Sequence, residues 1–141
     1  MPGITIHRIT PENARLLDTV AEDVFDHDID PAFLEDYATA PGHALFVAIS
    51  DGVVIGQARG VLHRQPDSAA DLYVDNLGVA PSRQREGAAT QLVEALIAWG
   101  RASAMCRSVW LATEHDNGQG KAFYAAAGFI AQSAVCYSKD L

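Results

Sequence analysis

Leu72-Tyr73-Val74-Asp75-Asn76-Leu77-Gly78-Val79-Ala80-Pro81-Ser82-Arg83-Gln84-Arg85-Glu86-Gly87-Ala88-Ala89-Thr90 is the stretch on which the fold turns. Leu72 to Val79 reads as a strand. Ala80 to Glu86 is a loop holding Pro81. Beyond it Ala89, Leu92, Val93, Leu96, Ile97 and Gly100 recur at 3-4-3-4 spacing, the inner face of a helix packed on a core. A loop that enters a helix through small residues leaves unpaired backbone N–H groups, and the helix dipole adds to their pull on an anion. Gly87, Ala88 and Ala89 let backbone approach a phosphate closely, Arg83 and Arg85 add positive charge, and Thr90 adds a hydroxyl. A Walker loop is excluded, because no Gly-Lys-Ser/Thr follows. A dinucleotide fingerprint is excluded too, because Gly87 stands alone where three spaced glycines are needed.

Working outward, Asp51-Gly52 is a type I′ hairpin signal between the apolar runs Ala44–Ile49 and Val53–Leu62. Ile4 to Ile9 begins as an alternating strand. Thr10-Pro11 starts a helix, with Leu16, Leu17, Val20 and Val24 at helical spacing. A second short helix from Pro31 carries Phe33, Leu34 and Tyr37. Downstream, Ser108–Thr113 reads as a strand and Asn117–Ala127 as a helix stopped by Gly128. Phe129 onward, with Val135-Cys136-Tyr137, supplies one or two last strands. The order β-α-α-β-β-β-α-β-α-β(-β) gives a single domain over 1–141, of α/β (α+β) class, with a mixed sheet and helices on both faces.

Ten basic against 18 acidic residues give a net charge of −8, which argues against nucleic acid and anionic lipid as partners. No apolar run reaches the roughly 18 residues of a membrane span. The chain begins without a signal-peptide pattern, so a cytoplasmic protein is expected. Cys106 and Cys136 form neither a disulfide framework nor metal-ligand spacing, so no metal is expected. Glu22, Asp23, Asp26, Asp28, Asp30, Glu35 and Asp36 crowd one early segment. That segment is either a solvated surface or the acidic wall of a site for an amine.

Gln84, Gly87 and Ala89, behind the strand that ends Leu77-Gly78-Val79, resemble motif A of the GNAT acyl-CoA N-acyltransferases. Asn117-Gly118-Gln119-Gly120-Lys121-Ala122-Phe123-Tyr124-Ala125-Ala126-Ala127-Gly128-Phe129 resembles the family's late helix at matching spacing. The likeness covers roughly residues 4–138. It implies a mostly antiparallel sheet of six to seven strands, splayed between strands 4 and 5, with acetyl-CoA in the opening. It implies pantetheine pairing at Leu77, Gly78 and Val79, and diphosphate on Gln84, Arg85, Glu86, Gly87, Ala88, Ala89 and Thr90. Asn117 and Tyr124 would approach the sulfur. A bulge in strand four would aim a backbone N–H at the thioester carbonyl.

Under that resemblance Tyr124 is the general acid, its phenol pKa of about 10 lying above a thiol at about 8.5. Asp75 or Glu114 is the base, directly or through water. Tyr73 and Asn76 would orient substrate, and His115 is either a relay or a solvated loop residue. Transfer is expected to be direct, without an acetyl-enzyme. Three departures stand out. Glu86 sets a carboxylate inside a phosphate loop and must point outward. Ala88 is smaller than the family's usual Ile or Val. Gly120 replaces a frequent alanine and should weaken the helix start by up to about 1 kcal/mol. Phe46 to Val79 is loosely similar to the small aminoglycoside 3-N-acetyltransferases, although their strand-four aspartate falls at Asn76. The acceptor is therefore expected to be a small, cationic amine such as an aminoglycoside or polyamine. A protein or peptide amine, a non-catalytic acyl-CoA sensor and a homodimer remain open.

Overall fold

The computed structural model describes residues 3–141. The chain divides into two compact units, Met1–Leu111 and Ala112–Leu141.

The first unit is built on five strands: β1 (Thr5–Arg8), β2 (His43–Ser50), β3 (Val53–His63), β4 (Asp71–Val79) and β5 (Val109–Trp110). They lie side by side in chain order. The first three pairings are antiparallel and β4–β5 is parallel. The hairpin between β2 and β3 turns on Asp51 and Gly52, with φ of 52° and 77°, the double left-handed geometry of a I′ turn. Asp-Gly tolerates that geometry at little cost, so register is set locally.

Alternation along β2 sorts the core into two layers. Ala48 joins Ile55, Ala58, Leu72 and Val74 beneath helix α2 (Ala88–Ala104), whose Leu92 and Leu96 are fully buried. A Cβ on Gly60 would come within 2.9 Å of Leu96, so the missing side chain lets α2 lie close on β3. Leu45 and Val47 face the other way, onto Ile9, Leu17, Val24 and Val54, under helix α1 (Pro31–Ala38). Asp30 caps α1 by accepting from the N–H groups of Ala32 and Phe33, with Pro31 at the first helical position. Helices therefore cover both faces of a mixed, mostly antiparallel sheet.

The first expected helix is only a short 3-10 turn, Ala14–Asp18. Asn13 competes with helix nucleation: its side chain accepts from Thr10 N–H and donates to the Arg8 carbonyl. Past Asp18 the backbone joins β3 instead. Val20 bridges Val54, Ala21 N–H donates to the Val54 carbonyl, and Val54 N–H donates to that of Thr19. Val20 and Val24 thus have apolar environments without helical geometry.

In the second unit, helix α3 spans Gly118–Ala126 and ends before Gly128, whose φ is 92°. From Phe129 to Leu141 the backbone is irregular. The one or two final strands expected there do not form, so the sheet has five strands among the described residues rather than six or seven. Only Val135 and Tyr137 alternate, Gln132-Ser133 interrupts the run, and Ile130, Val135 and Tyr137 are exposed.

Candidate functional site

β5 pairs with β4 only at Leu72–Val109 and Tyr73–Trp110. The rings of Tyr73 and Trp110 stack there at 4.3 Å between centroids. Beyond that point β4 continues for six residues, Val74 to Val79, while β5 ends. One edge of β4 along this stretch is bonded to β3, and the other has no strand beside it among the described residues. An unpaired strand edge presents N–H and C=O groups to any extended ligand.

β4 also carries a bulge. Arg59 pairs with Asn76 and Gly60 with Val74, so Asp75 is the extra residue. Its exposed carboxylate lies 3.1 Å from Arg59 Nε as an ion pair. Arg59 Nε finds no acceptor of good hydrogen-bond geometry, so the contact is charge attraction more than a directed bond. Tyr37 of α1 belongs to the same group. Its hydroxyl is buried without a partner, and burial pushes its pKa up to about 12, against the nearby Arg59 charge.

β4 runs into the phosphate-type loop. Ala80 N–H donates to the Ile55 carbonyl, which anchors the exit. Arg85 and Gly87 both adopt left-handed φ, 67° and 91°. Alternating handedness of this kind curls successive N–H groups toward one point and forms an anion nest. Gly87 is the N-cap of α2 and has no side chain with which to cap it, so the first-turn N–H groups of Ala88, Ala89 and Thr90 face out of the helix start. Glu86 is turned away by Arg83, whose Nε and Nη donate to its carboxylate at 2.8 and 3.0 Å. That bond holds the Glu86 carboxyl below its usual range. Arg83 is also tied to Ser50 Oγ at 3.0 Å. The carboxylate in the loop is thus compensated internally.

A strap of residues 19–30 crosses β4 on the α1 face. The Val24 carbonyl lies against Gly78, where any Cβ would collide with it. The fully buried Gln57 donates through Nε2 to the Val24 carbonyl and to Asn76 Oδ1, and Asn76 Nδ2 donates to Asp26. Asp26 was named only as one of the early acidic stretch, and Gln57 and Arg59 were not named at all. The signal for Gln57 and Arg59 is the β3–β4 register, which sets Arg59 opposite Asn76 and Gln57 opposite Gly78.

In the second unit, Asn117 caps α3 by accepting from Gly120 N–H at 3.0 Å and donates to Thr113 Oγ1 at 2.9 Å. A Cβ on Gly120 would collide with that amide, so the glycine makes room for the cap. Tyr124 packs edge-on against Phe123 and Phe129, and burial raises its pKa above the usual phenol value. Glu114 is exposed, and its carbonyl accepts from Asn117 N–H. His115 is also exposed, and its carbonyl accepts from Lys121 Nζ. The first unit thus gathers Asp75, Leu77, Gly78, Val79 and the loop Gln84–Thr90 along one strand and its exit, and the second holds Glu114, Asn117 and Tyr124 on α3 and its approach. No group of three or more His, Cys, Asp or Glu among the described residues is arranged to hold a metal ion, and no described helix is long and apolar enough to cross a membrane.

The model of the acetyltransferase (GNAT) family matches residues 11–129. The chain belongs to this family. It is an N-acetyltransferase by that membership. Aminoglycoside N(6′)-acetyltransferase type 1 of Salmonella typhimurium is 30% identical over 107 residues, covering 73% of each chain. An uncharacterized N-acetyltransferase of Mycobacterium bovis is 31% identical over 108 residues, covering 74% of this chain and 64% of the relative. Among solved structures, aminoglycoside acetyltransferase AAC(6′)-Iy with a CoA-linked acetylneamine bisubstrate analogue superposes with a TM-score of 0.83 at 24% identity, over 99% of both chains. A CoA complex of the same enzyme gives 0.76 at 26%, over 97% of this chain and 99% of that one. These aminoglycoside relatives are of N(6′) type, whereas the loose likeness of Phe46 to Val79 is to the 3-N branch.

Proposed function

We propose that this GNAT-family chain moves the acetyl group of acetyl-CoA directly to a primary amine of a small, cationic acceptor such as an aminoglycoside or polyamine. The observation that carries the reading is the free edge of β4 from Val74 to Val79, which leads into the left-handed loop at Arg85 and Gly87. An extended pantetheine arm would add to that edge at Leu77, Gly78 and Val79 as a further strand. Its diphosphate would take the N–H groups of Gln84 to Thr90, and Asn117 and Tyr124 would serve the sulfur end. The two units act as one domain in this reading, in keeping with a family match that spans both.

The amine must arrive at the carbonyl uncharged. Asp75 or Glu114, directly or through water, takes its proton. The nitrogen then attacks the carbonyl carbon, and the bulge at Asp75 offers a backbone N–H to the oxyanion. The C–S bond breaks, Tyr124 gives its proton to the departing thiolate, and the surplus proton on the new amide nitrogen passes through water to the tyrosinate, which restores the acid. A raised Tyr124 pKa keeps the phenol protonated through neutral pH, as an acid requires. Direct transfer accords with Cys106, whose thiol is pushed up in pKa mainly by burial and is a poor nucleophile.

Acetyl-CoA at 100 times its Kd should stabilise the fold by about 2.7 kcal/mol, and Gly87→Trp should abolish the shift. Thiol release from acetyl-CoA should appear with at least one member of an amine panel. Tyr124→Phe should lower kcat more than it weakens acetyl-CoA binding. No thermal shift at any concentration would sink the reading. Binding without thiol release on any amine would instead favour an acyl-CoA sensor.

A further inference from the structure

We infer that Asp26 is the carboxylate that seats an ammonium group of the acceptor beside the bulge of β4, and that Gln57 and Asn76 are its positioning residues. The inference rests on the proposed acetyl transfer and deepens it by assigning the acceptor's charge a partner.

Asp75, Glu86 and Asp26 each contact β3, β4 or the exit of β4, and the first two are already matched. Asp75 faces Arg59 at 3.1 Å. Glu86 is held by Arg83 at 2.8 Å. Asp26 is the third. It is exposed, and among the described residues no basic group lies within ion-pair distance of it. Yet it is not a loose surface side chain. Asn76 Nδ2 donates to its Oδ2 at 3.4 Å, across 50 residues of sequence.

The orientation of that contact is built from below. The Asn76 amide turns its donor end to Asp26 because its oxygen is taken by Gln57 Nε2. Gln57 is 0% exposed and in turn is fixed by its second bond, to the Val24 carbonyl at 3.2 Å. The arrangement leaves Gln57 Oε1 buried without a donor. A buried acceptor without a partner is costly, so the amide is held in this orientation by what its nitrogen bonds. A reversed Asn76 would turn its oxygen on the Asp26 carboxylate and repel it.

Position favours a cation there over any other ligand. Asp28 extends the acidic strap, and the whole chain carries −8. Asn76 directly follows the bulged Asp75, so an ammonium held at Asp26 sits beside the point where β4 departs from regular pairing. Neutral or anionic acceptors gain nothing from this group.

The test compares Asp26→Asn with Asp28→Asn, a strap carboxylate with no bond to β4. For an amine that turns over, Asp26→Asn should raise acceptor KM about five- to tenfold, with acetyl-CoA KM and melting temperature unchanged. Added salt should raise acceptor KM in the wild type and somewhat less in Asp26→Asn, which keeps the field of the remaining acidic excess. Gln57→Leu should raise acceptor KM in the same sense without lowering kcat in proportion. Asp28→Asn should change acceptor KM less than about twofold. Equal effects of the two Asp variants would overturn the inference, as would an unchanged KM in Asp26→Asn. If no amine releases thiol, acetyl transfer itself has failed. Calorimetric titration of neamine and spermidine at low salt then still reads the site. Binding weakened by Asp26→Asn alone supports it, and no binding by the wild type, or equal weakening by both variants, overturns it.

Discussion

Gly78 is where the strap of residues 19–30 and the free stretch of β4 meet in one residue. The missing Cβ is occupied by the Val24 carbonyl, a backbone atom that cannot rotate away, and Gln57 Nε2 would lie 3.3 Å from the same Cβ. Gly78→Ala must therefore push the strap off β4. Overpacking of this kind costs about 1–3 kcal/mol, a fall in Tm of several degrees for a chain of this size. The strap also carries Asp26, so acceptor KM should rise with it. Gly118→Ala is the control, since a Cβ there meets nothing within 4 Å. Thermal melts of both variants decide the matter, and a Gly78→Ala protein as stable as wild type would show that the strap is not seated on β4. Gly120 shows how such constraints escape a motif. By propensity it only weakens a helix, and in the fold it leaves room for the Asn117 cap.

At the scale of elements, the loop that opens α2 holds its shape through Arg83 and Glu86. The Arg83 hydrogen bond lowers the Glu86 pKa in the folded state, with the Arg83 charge adding to it. A depressed carboxyl contributes stability that is present above its unfolded pKa, about 4.3, and is lost as pH falls through the lower folded value. Wild type should therefore melt above Glu86→Gln at pH 7, and the gap should close below about pH 4. Melts from neutral to acid pH test this, and a gap that persists unchanged into acid would assign the difference to something other than the ion pair. The loop was legible because its chemistry is local: small residues, a lone glycine and an apolar helix face follow one another in the chain. The Asp51-Gly52 hairpin was legible for the same reason. The 3-10 turn at Ala14–Asp18 was not, because periodicity in Leu16, Leu17, Val20 and Val24 marks burial, and Asn13 and β3 decide the backbone. The final strands failed likewise. A strand exists only by pairing, and pairing is not written in Val135 and Tyr137. Among the candidate residues, Tyr124 was visible through the late-helix motif and Asp75 only through its place on strand four, whereas Arg59 and Gln57 became visible through strand register.

On the scale of the whole molecule, the charge of −8 acts oppositely on the two substrates of the proposed reaction. A cationic acceptor is drawn in by the field, while acetyl-CoA is a polyanion that approaches against it. Near the loop Gln84–Thr90 the local donors are backbone N–H groups and Arg85, because Arg83 is neutralised by Glu86. Backbone dipoles act at short range and are screened little, whereas the net charge acts over a Debye length, about 10 Å at 0.1 M salt. Raising ionic strength should therefore remove attraction for the acceptor and repulsion for acetyl-CoA together. Between about 20 mM and about 300 mM monovalent salt, kcat/KM for the cationic acceptor should fall, while that for acetyl-CoA should stay level or rise. Steady-state kinetics with each substrate varied in turn separates the two slopes. A parallel fall in both would place the governing charge at the diphosphate loop, and a flat acceptor slope would mean that the acidic excess plays no part in drawing the acceptor in.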